Sequence, residues 1–200
     1  MQVNFPNGKT VTLKVGNLVE EKADAIVNAA NKYLAPGGGV CGAIYRAGGP
    51  KLEEMTRTLV KAYGERPLGS VTVSGAAGDL ESRFVFHAVS MPYVDGKSWE
   101  KEMLESAYRS TLYKADDFKC RSVAFPALAT GIYHYPLEEA AAVAVHCVVG
   151  FLAVASPVHV EEVTFVLFDQ KTYDAFSVAL AQELVDFVVV GSGTAALVTA

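Results

Sequence analysis

Apolar positions along the 200-residue chain switch repeatedly between two periods. Val11-Thr12-Leu13-Lys14-Val15 alternates apolar and polar, the pattern of a strand with one buried face. The stretch from Ser70 to Ser74 alternates in the same way. Ala25-Ile26-Val27, Phe84 to Val89 and Val123 to Leu128 are short apolar runs, as in strands covered on both faces. Val163 to Phe168 (VTFVLF) is the most β-like segment, rich in β-branched and aromatic residues. Helical spacing fills the gaps. Leu52, Met55, Leu59 and Tyr63 form one stripe, and Leu104, Ala107, Tyr108, Thr111, Leu112 and Ala115 another. A third runs from Leu137 through Ala140, Ala141, Ala144, Val145 and Val148 to Leu152. Pro136 precedes it, and Glu138 and Glu139 suit the positive end of its dipole. Tyr173, Phe176, Leu180, Leu184 and Phe187 make the last. Strands alternating with helices predict a layered α/β domain with helices on both faces of a largely parallel sheet.

Composition narrows the classes of function. Hydrophobic residues make up 51% of the chain, enough to fill a core and too many for general disorder. The net charge is −5, which argues against a protein that holds nucleic acid through its phosphates. Cys41, Cys120 and Cys147 are far apart and odd in number, so neither a disulfide framework nor a zinc knot is expected. No signal-peptide core and no apolar run of membrane-spanning length is visible, and a cytoplasmic setting without membrane contact is the expectation. Residues 187–200 (FVVVGSGTAALVTA) carry no charge. They read as an extra strand, a partner-binding segment or the trimmed edge of a larger polypeptide.

In open α/β sheets ligands sit at the carboxyl ends of strands. Two loops there have chemical content. The first runs from Asn28 to Ile44 and contains Gly37-Gly38-Gly39 directly before the helical positions Val40, Ala43, Ile44 and Ala47. Consecutive glycines let backbone N–H groups approach an anion at a helix N-terminus. No GxxxxGK[ST] or GxGxxG pattern is present, so a phosphate here would be held without a dedicated lysine. Asn28 reads as a brace for its loop. Asn31, between strand end and glycines, reads as a ligand contact, since an amide both donates and accepts. The second loop is Ala129-Thr130-Gly131-Ile132-Tyr133-His134-Tyr135-Pro136.

The string VNAANKYLAPGGGVCGAIYRAGGP resembles the signature of the macro domain family. FPALATGIYHYP is similar to that family's second phosphate-binding loop, and FHAV (Phe86 to Val89) and VLFDQKTYDAF (Val166 to Phe176) match further segments in order. The resemblance extends from about Val11 to Leu184 and includes both MacroD-type hydrolases and the macro domains of positive-strand RNA viruses. It implies a three-layer α/β/α fold with a mixed, largely parallel central sheet over residues 1–186. It also implies a cleft for ADP-ribose. Gly37, Gly38, Gly39 and Val40 would clasp the diphosphate from one side, and Ala129, Thr130, Gly131, Ile132 and Tyr133 from the other. Asn31 would bond the distal ribose with Tyr133 beside it, Phe168 would lie against adenine, and Asn17 and Leu18 would complete the base pocket. Asn28, Asn31, Gly39 and Tyr133 are the expected catalytic residues.

Two positions depart from the family pattern. Gly16-Asn17-Leu18 stands where the family has Gly-Asp-Ile, so the adenine amino group would meet a neutral amide in place of a carboxylate. Cys41 stands where MacroD-type enzymes have an Asp that helps activate water, and a thiol of ordinary pKa is a poor general base at neutral pH. The expected activity is hydrolysis of mono-ADP-ribose from acidic side chains of proteins, without metal or redox cofactor and without an essential protein base. A non-catalytic reader and an O-acetyl-ADP-ribose deacetylase are the alternatives. The expected partners are ADP-ribose and mono-ADP-ribosylated proteins, with a monomer as the default. Among the remaining residues, His87 reads as a hydrogen-bonded core histidine, His134 as an exposed loop residue, and Asp169 as a helix cap.

Overall fold

The computed structural model describes residues 1–97, 99–155, 157–190 and 198–199. Its strands are β1 (Gln2–Asn4), β2 (Thr10–Val15), β3 (Ala25–Ala30), β4 (Val71–Gly75), β5 (Phe84–Val89), β6 (Ser122–Phe125), β7 (Glu162–Leu167) and β8 (Val198–Thr199). Its helices are α1 (Gly39–Tyr63), α2 (Glu100–Asp117), α3 (Leu137–Val149) and α4 (Gln170–Val190). The strands form one mixed sheet in the order β4-β5-β3-β6-β7-β2-β1-β8. The five strands from β5 to β2 in that order run parallel, while β4 and β1 close the two sides antiparallel. The three-layer α/β/α arrangement is as expected from the sequence.

Strand periodicity assigns the two faces. Ala25 and Val27 of β3, Phe86 and Ala88 of β5, and Val163, Phe165 and Leu167 of β7 point to the core shared with α2, α3 and α4. Ile26, Val85, Ala124 and Val166 point the other way, against Ile44, Tyr45 and Leu52 of α1 and against Leu18. Gly49 (φ 64°) and Pro50 break α1 into two helical pieces, and both sides of the break, Ile44 and Tyr45 before it and Leu52 after it, pack on this face of the sheet.

Several element ends, and one whole strand, differ from the sequence reading. β3 runs on through Asn28 to Ala30, so the first loop begins at Asn31. A polar residue inside a strand hides its continuation when its partners lie on other elements. β6 stops at Phe125 because Pro126 cannot donate to the ladder. β1 went unseen because three residues give no period to read. α4 passes through the boundary expected after residue 186 and ends at Val190. The expected tail, 187–200, lies mostly outside the described residues, but Val198–Thr199 pairs antiparallel with β1.

Candidate functional site

The parallel topology brings the carboxyl ends of β2, β3, β6 and β7 to one edge of the sheet, where the chain turns into loops. A cleft of about 590 Å³ opens there, a size suited to a small-molecule ligand. Its walls are the segment after β2 (Gly16, Asn17, Leu18), the glycine loop and start of α1, the loop after β6, and Phe168 with Thr172 after β7.

The glycine loop is held from below. Leu34 has a positive φ of 47°, and its carbonyl accepts from the buried Tyr45 hydroxyl of α1, which also bonds Thr56. Asn31 donates from Nδ2 to Ala35 O (2.9 Å) and accepts at Oδ1 from Tyr33 N (3.0 Å) and Ala35 N (3.2 Å). The brace of this loop is therefore Asn31, which lines the cleft at the same time. Gly39 opens α1 with φ 56°, a conformation glycine adopts without Cβ strain. A Cβ at Gly42 would stand 2.5 Å from Gly37 O, so the first turn of the helix and the loop touch through bare backbone.

The second loop faces the first. A Cβ at Gly38 would lie 3.8 Å from Ile132 Cγ2, which measures how closely the two loops approach. Ala129 (φ 65°) and His134 (φ 54°) take left-handed backbone without being glycine, a local strain of about 1 kcal/mol each. Hydrogen bonds from Tyr135 N to Ala129 O and from Tyr93 N to Tyr133 O hold that shape. Thr130 Oγ1 donates to Ala127 O. Tyr133 is half-buried, and burial raises its phenol pKa, so it stays neutral.

Cys41 is buried on the cleft floor, its sulfur beside Gly37 and 3.8 Å from Ala35 O. Burial pushes the thiol pKa up, and hydrogen bonds with Asn28 and the Gly37 backbone oppose this without reversing it. Cys41 is thus a thiol at neutral pH, with no thiolate to act as base.

Asn28 departs from its expected catalytic role. It is fully buried and does not line the cleft. Its amide nitrogen meets His87 Nδ1 at 3.1 Å, and His87 Nε2 meets Ser74 Oγ at 2.9 Å. With Asn28 donating to Nδ1, the ring proton sits on Nε2 and is donated to Ser74. Asn28 is therefore a positioning residue beneath Cys41. His87 is the core histidine the sequence suggested, its pKa lowered to about 3 by burial.

All other expected site residues line the cleft: Asn17, Leu18, Asn31, Gly37, Gly38, Gly39, Val40, Cys41, Ala129, Thr130, Gly131, Ile132, Tyr133 and Phe168. Phe168 is 91% exposed, which removes core packing as the reason for an aromatic there. Asp169 caps α4, accepting from Thr172 N at 2.8 Å. Arg46, Ala43, Pro126, Ala127, Val166 and Thr172 also line the cleft and were not picked out from sequence. Arg46 could have been, since Val40, Ala43 and Arg46 fall along one helical edge. Among the described residues no Asp or Glu lines the cleft, and no three His, Cys, Asp or Glu side chains gather as metal ligands.

Residues 27–144 match the Macro domain model, more than half of the chain. The chain belongs to the macro domain family. It is 40% identical over 169 residues to a macro domain-containing protein of Caldanaerobacter subterraneus subsp. tengcongensis, covering 84% of this chain and 94% of that protein. It is 42% identical over 167 residues to a protein of Enterobacter cloacae subsp. cloacae named O-acetyl-ADP-ribose deacetylase, covering 84% and 91%. Among solved structures, the Oceanobacillus iheyensis macrodomain with ADP superposes with a TM-score of 0.84 at 33% identity, covering 93% of this chain and 96% of that one. The Trypanosoma brucei macrodomain in complex with ADP-ribose gives 0.74 at 30% identity, covering 85% and 68%.

Proposed function

We propose that this macro domain binds ADP-ribose in the cleft and hydrolyses an ester on its terminal ribose. The expected substrate is mono-ADP-ribose on acidic side chains of modified proteins, and free ADP-ribose is the product. The facing of Gly38 and Ile132 across the cleft carries the reading, because it brings a glycine loop at a helix N-terminus against a second glycine-bearing loop in a cleft that no described carboxylate lines. A diphosphate suits such a cleft. The base then rests against Phe168 and the terminal ribose lies near Asn31 and Tyr133. Water adds to the ester, and the acyl group leaves as a carboxylic acid. With Cys41 neutral, the chain contributes orientation: the glycine loop and the substrate's own phosphate hold the water, and backbone donors are set in advance.

A second reading, deacetylation of O-acetyl-ADP-ribose, is favoured by the name of the Enterobacter cloacae relative. Both substrates are carboxylic esters of the same ribose, so one cleft can serve both. The test is intact-mass analysis of a glutamate/aspartate mono-ADP-ribosylated protein, run beside acetate release from O-acetyl-ADP-ribose, with Asn31→Ala as control. Loss of the ADP-ribose mass with wild type alone supports the first reading. Acetate release without that loss supports the second. Tight ADP-ribose binding with neither reaction would make the chain a reader.

A further inference from the structure

The end of the cleft assigned to the base has its own polar chemistry. Asn17 and Phe168 both line it, each the next residue after the Gly16 N to Leu167 O hydrogen bond (2.9 Å) where β2 and β7 end. The orientation of the Asn17 amide is fixed by its two neighbours. Val19 N can only donate, so Oδ1 faces it at 3.4 Å; the Glu20 carboxylate only accepts, so Nδ2 faces it at 2.9 Å. One Nδ2 hydrogen and a share of the Oδ1 lone pairs remain for a ligand. Arg46 lines the same cleft from α1. Its side chain doubles back toward the helix N-terminus, as helical side chains do, bringing Nη1 beside Gly42, 3.1 Å from where a Cβ would stand. The guanidinium has no ion-pair partner among the described residues.

A base entering this end thus meets donors from two residues and an amide oxygen, while the Glu20 carboxylate does not line the cleft and is engaged by Asn17 Nδ2. A 6-aminopurine offers a donor at N6 and an acceptor at N7; a 6-oxopurine offers acceptors at both O6 and N7. A carboxylate at position 17 would favour the first and repel the second. An amide serves either, and a guanidinium reaches O6 and N7 with donors alone. The ring of Phe168 stacks on any purine. Resting on the ADP-ribose reading above, we propose that the base end is donor-rich and takes 6-oxopurine diphosphate riboses as readily as ADP-ribose, with Asn17 and Arg46 determining specificity.

The test is calorimetric titration of the purified chain with ADP-ribose and with inosine diphosphate ribose, its 6-oxo analogue. Wild type is expected to bind the two within threefold of each other. Asn17→Asp, still able to cap the turn after β2, should weaken the inosine compound at least tenfold and bind ADP-ribose at least as tightly as wild type. Arg46→Met should weaken the inosine compound at least fivefold and ADP-ribose about twofold. A wild-type preference for ADP-ribose above tenfold would overturn the proposal, as would an unchanged ratio in Asn17→Asp. Binding of ADP-ribose alone leaves the functional reading standing and sinks this one; binding of neither compound sinks both.

Discussion

His87 shows how far a single buried residue can reach. It is wholly buried between Asn28 and Ser74, and its pKa falls to about 3 because burial disfavours the imidazolium. In the unfolded chain the group titrates near 6.5. The native state therefore binds fewer protons than the unfolded state between those values. The stability contributed by neutral His87 is complete above about pH 6.5 and drains away as pH falls toward 3. Between pH 6 and 5, where most carboxylates are still ionised, this one residue should remove about 1.2 kcal/mol. Urea unfolding at pH 7, 6 and 5 measures the slope, and His87→Gln should flatten it; an equal slope in the variant would mean the histidine is not the group that titrates. Cys41 makes the opposite kind of test. As a neutral buried thiol it packs and does not ionise, so Cys41→Ala should keep at least about half of the hydrolytic rate. Complete loss in a folded variant that still binds ADP-ribose would give the thiol a chemical role.

At the scale of elements, the two loops act as jaws whose spacing is set by residues without side chains. Gly38 has ordinary extended backbone (φ −85°), so substitution there strains nothing and only fills space. Gly38→Glu puts bulk 3.8 Å from Ile132 and a negative charge beside the diphosphate. ADP-ribose affinity should drop at least a hundredfold with the melting temperature nearly unchanged, and titration with a parallel melt reads both. Gly42→Ala tests a contact that helix propensity would misjudge. Propensity alone favours alanine by about 1 kcal/mol. The added Cβ would stand 2.5 Å from Gly37 O, a backbone atom that cannot rotate away. The loop must shift, so affinity should fall at least tenfold; a variant that is more stable and binds normally would show that the loop yields freely. These elements also mark what the sequence made legible. Strand alternation and helical stripes located every long element, because burial on one face writes a period. Asn28 lies away from the cleft because its partner, His87 on β5, comes from 59 residues later in the chain, and His87 in turn bonds Ser74 on β4. Nothing near it in sequence reveals them. Arg46 was within reach of the sequence, since it shares a helical edge with Val40 and Ala43, although only the folded helix brings its guanidinium back beside the glycine loop.

At the scale of the whole molecule, the cleft joins segments that lie far apart along the chain. Residues after β2, β3, β6 and β7 all contribute to it, so a bound ligand ties the start of the domain to its last helix. No such cleft survives in an unfolded chain, and a ligand that binds only the native state stabilises it by mass action. At a hundredfold excess over its dissociation constant that contribution is about 2.7 kcal/mol. For a chain of this length each kcal/mol moves the melting temperature by about 2–4 °C, so ADP-ribose should raise it by roughly 5–11 °C. Gly38→Glu should lose the shift, since its two loops no longer admit the diphosphate. An equal shift in that variant would place the ligand elsewhere on the protein. Salt separates the two sources of attraction that the fold combines. With Arg46 the one Lys, Arg, Asp or Glu lining the cleft among the described residues, the proposed hold on the phosphates rests on backbone, and raising salt from 0.05 to 0.5 M should weaken binding by less than about tenfold. A steep loss would mean that surface cations outside the cleft hold the ligand, which the net charge of −5 makes a poor way to recruit an anion.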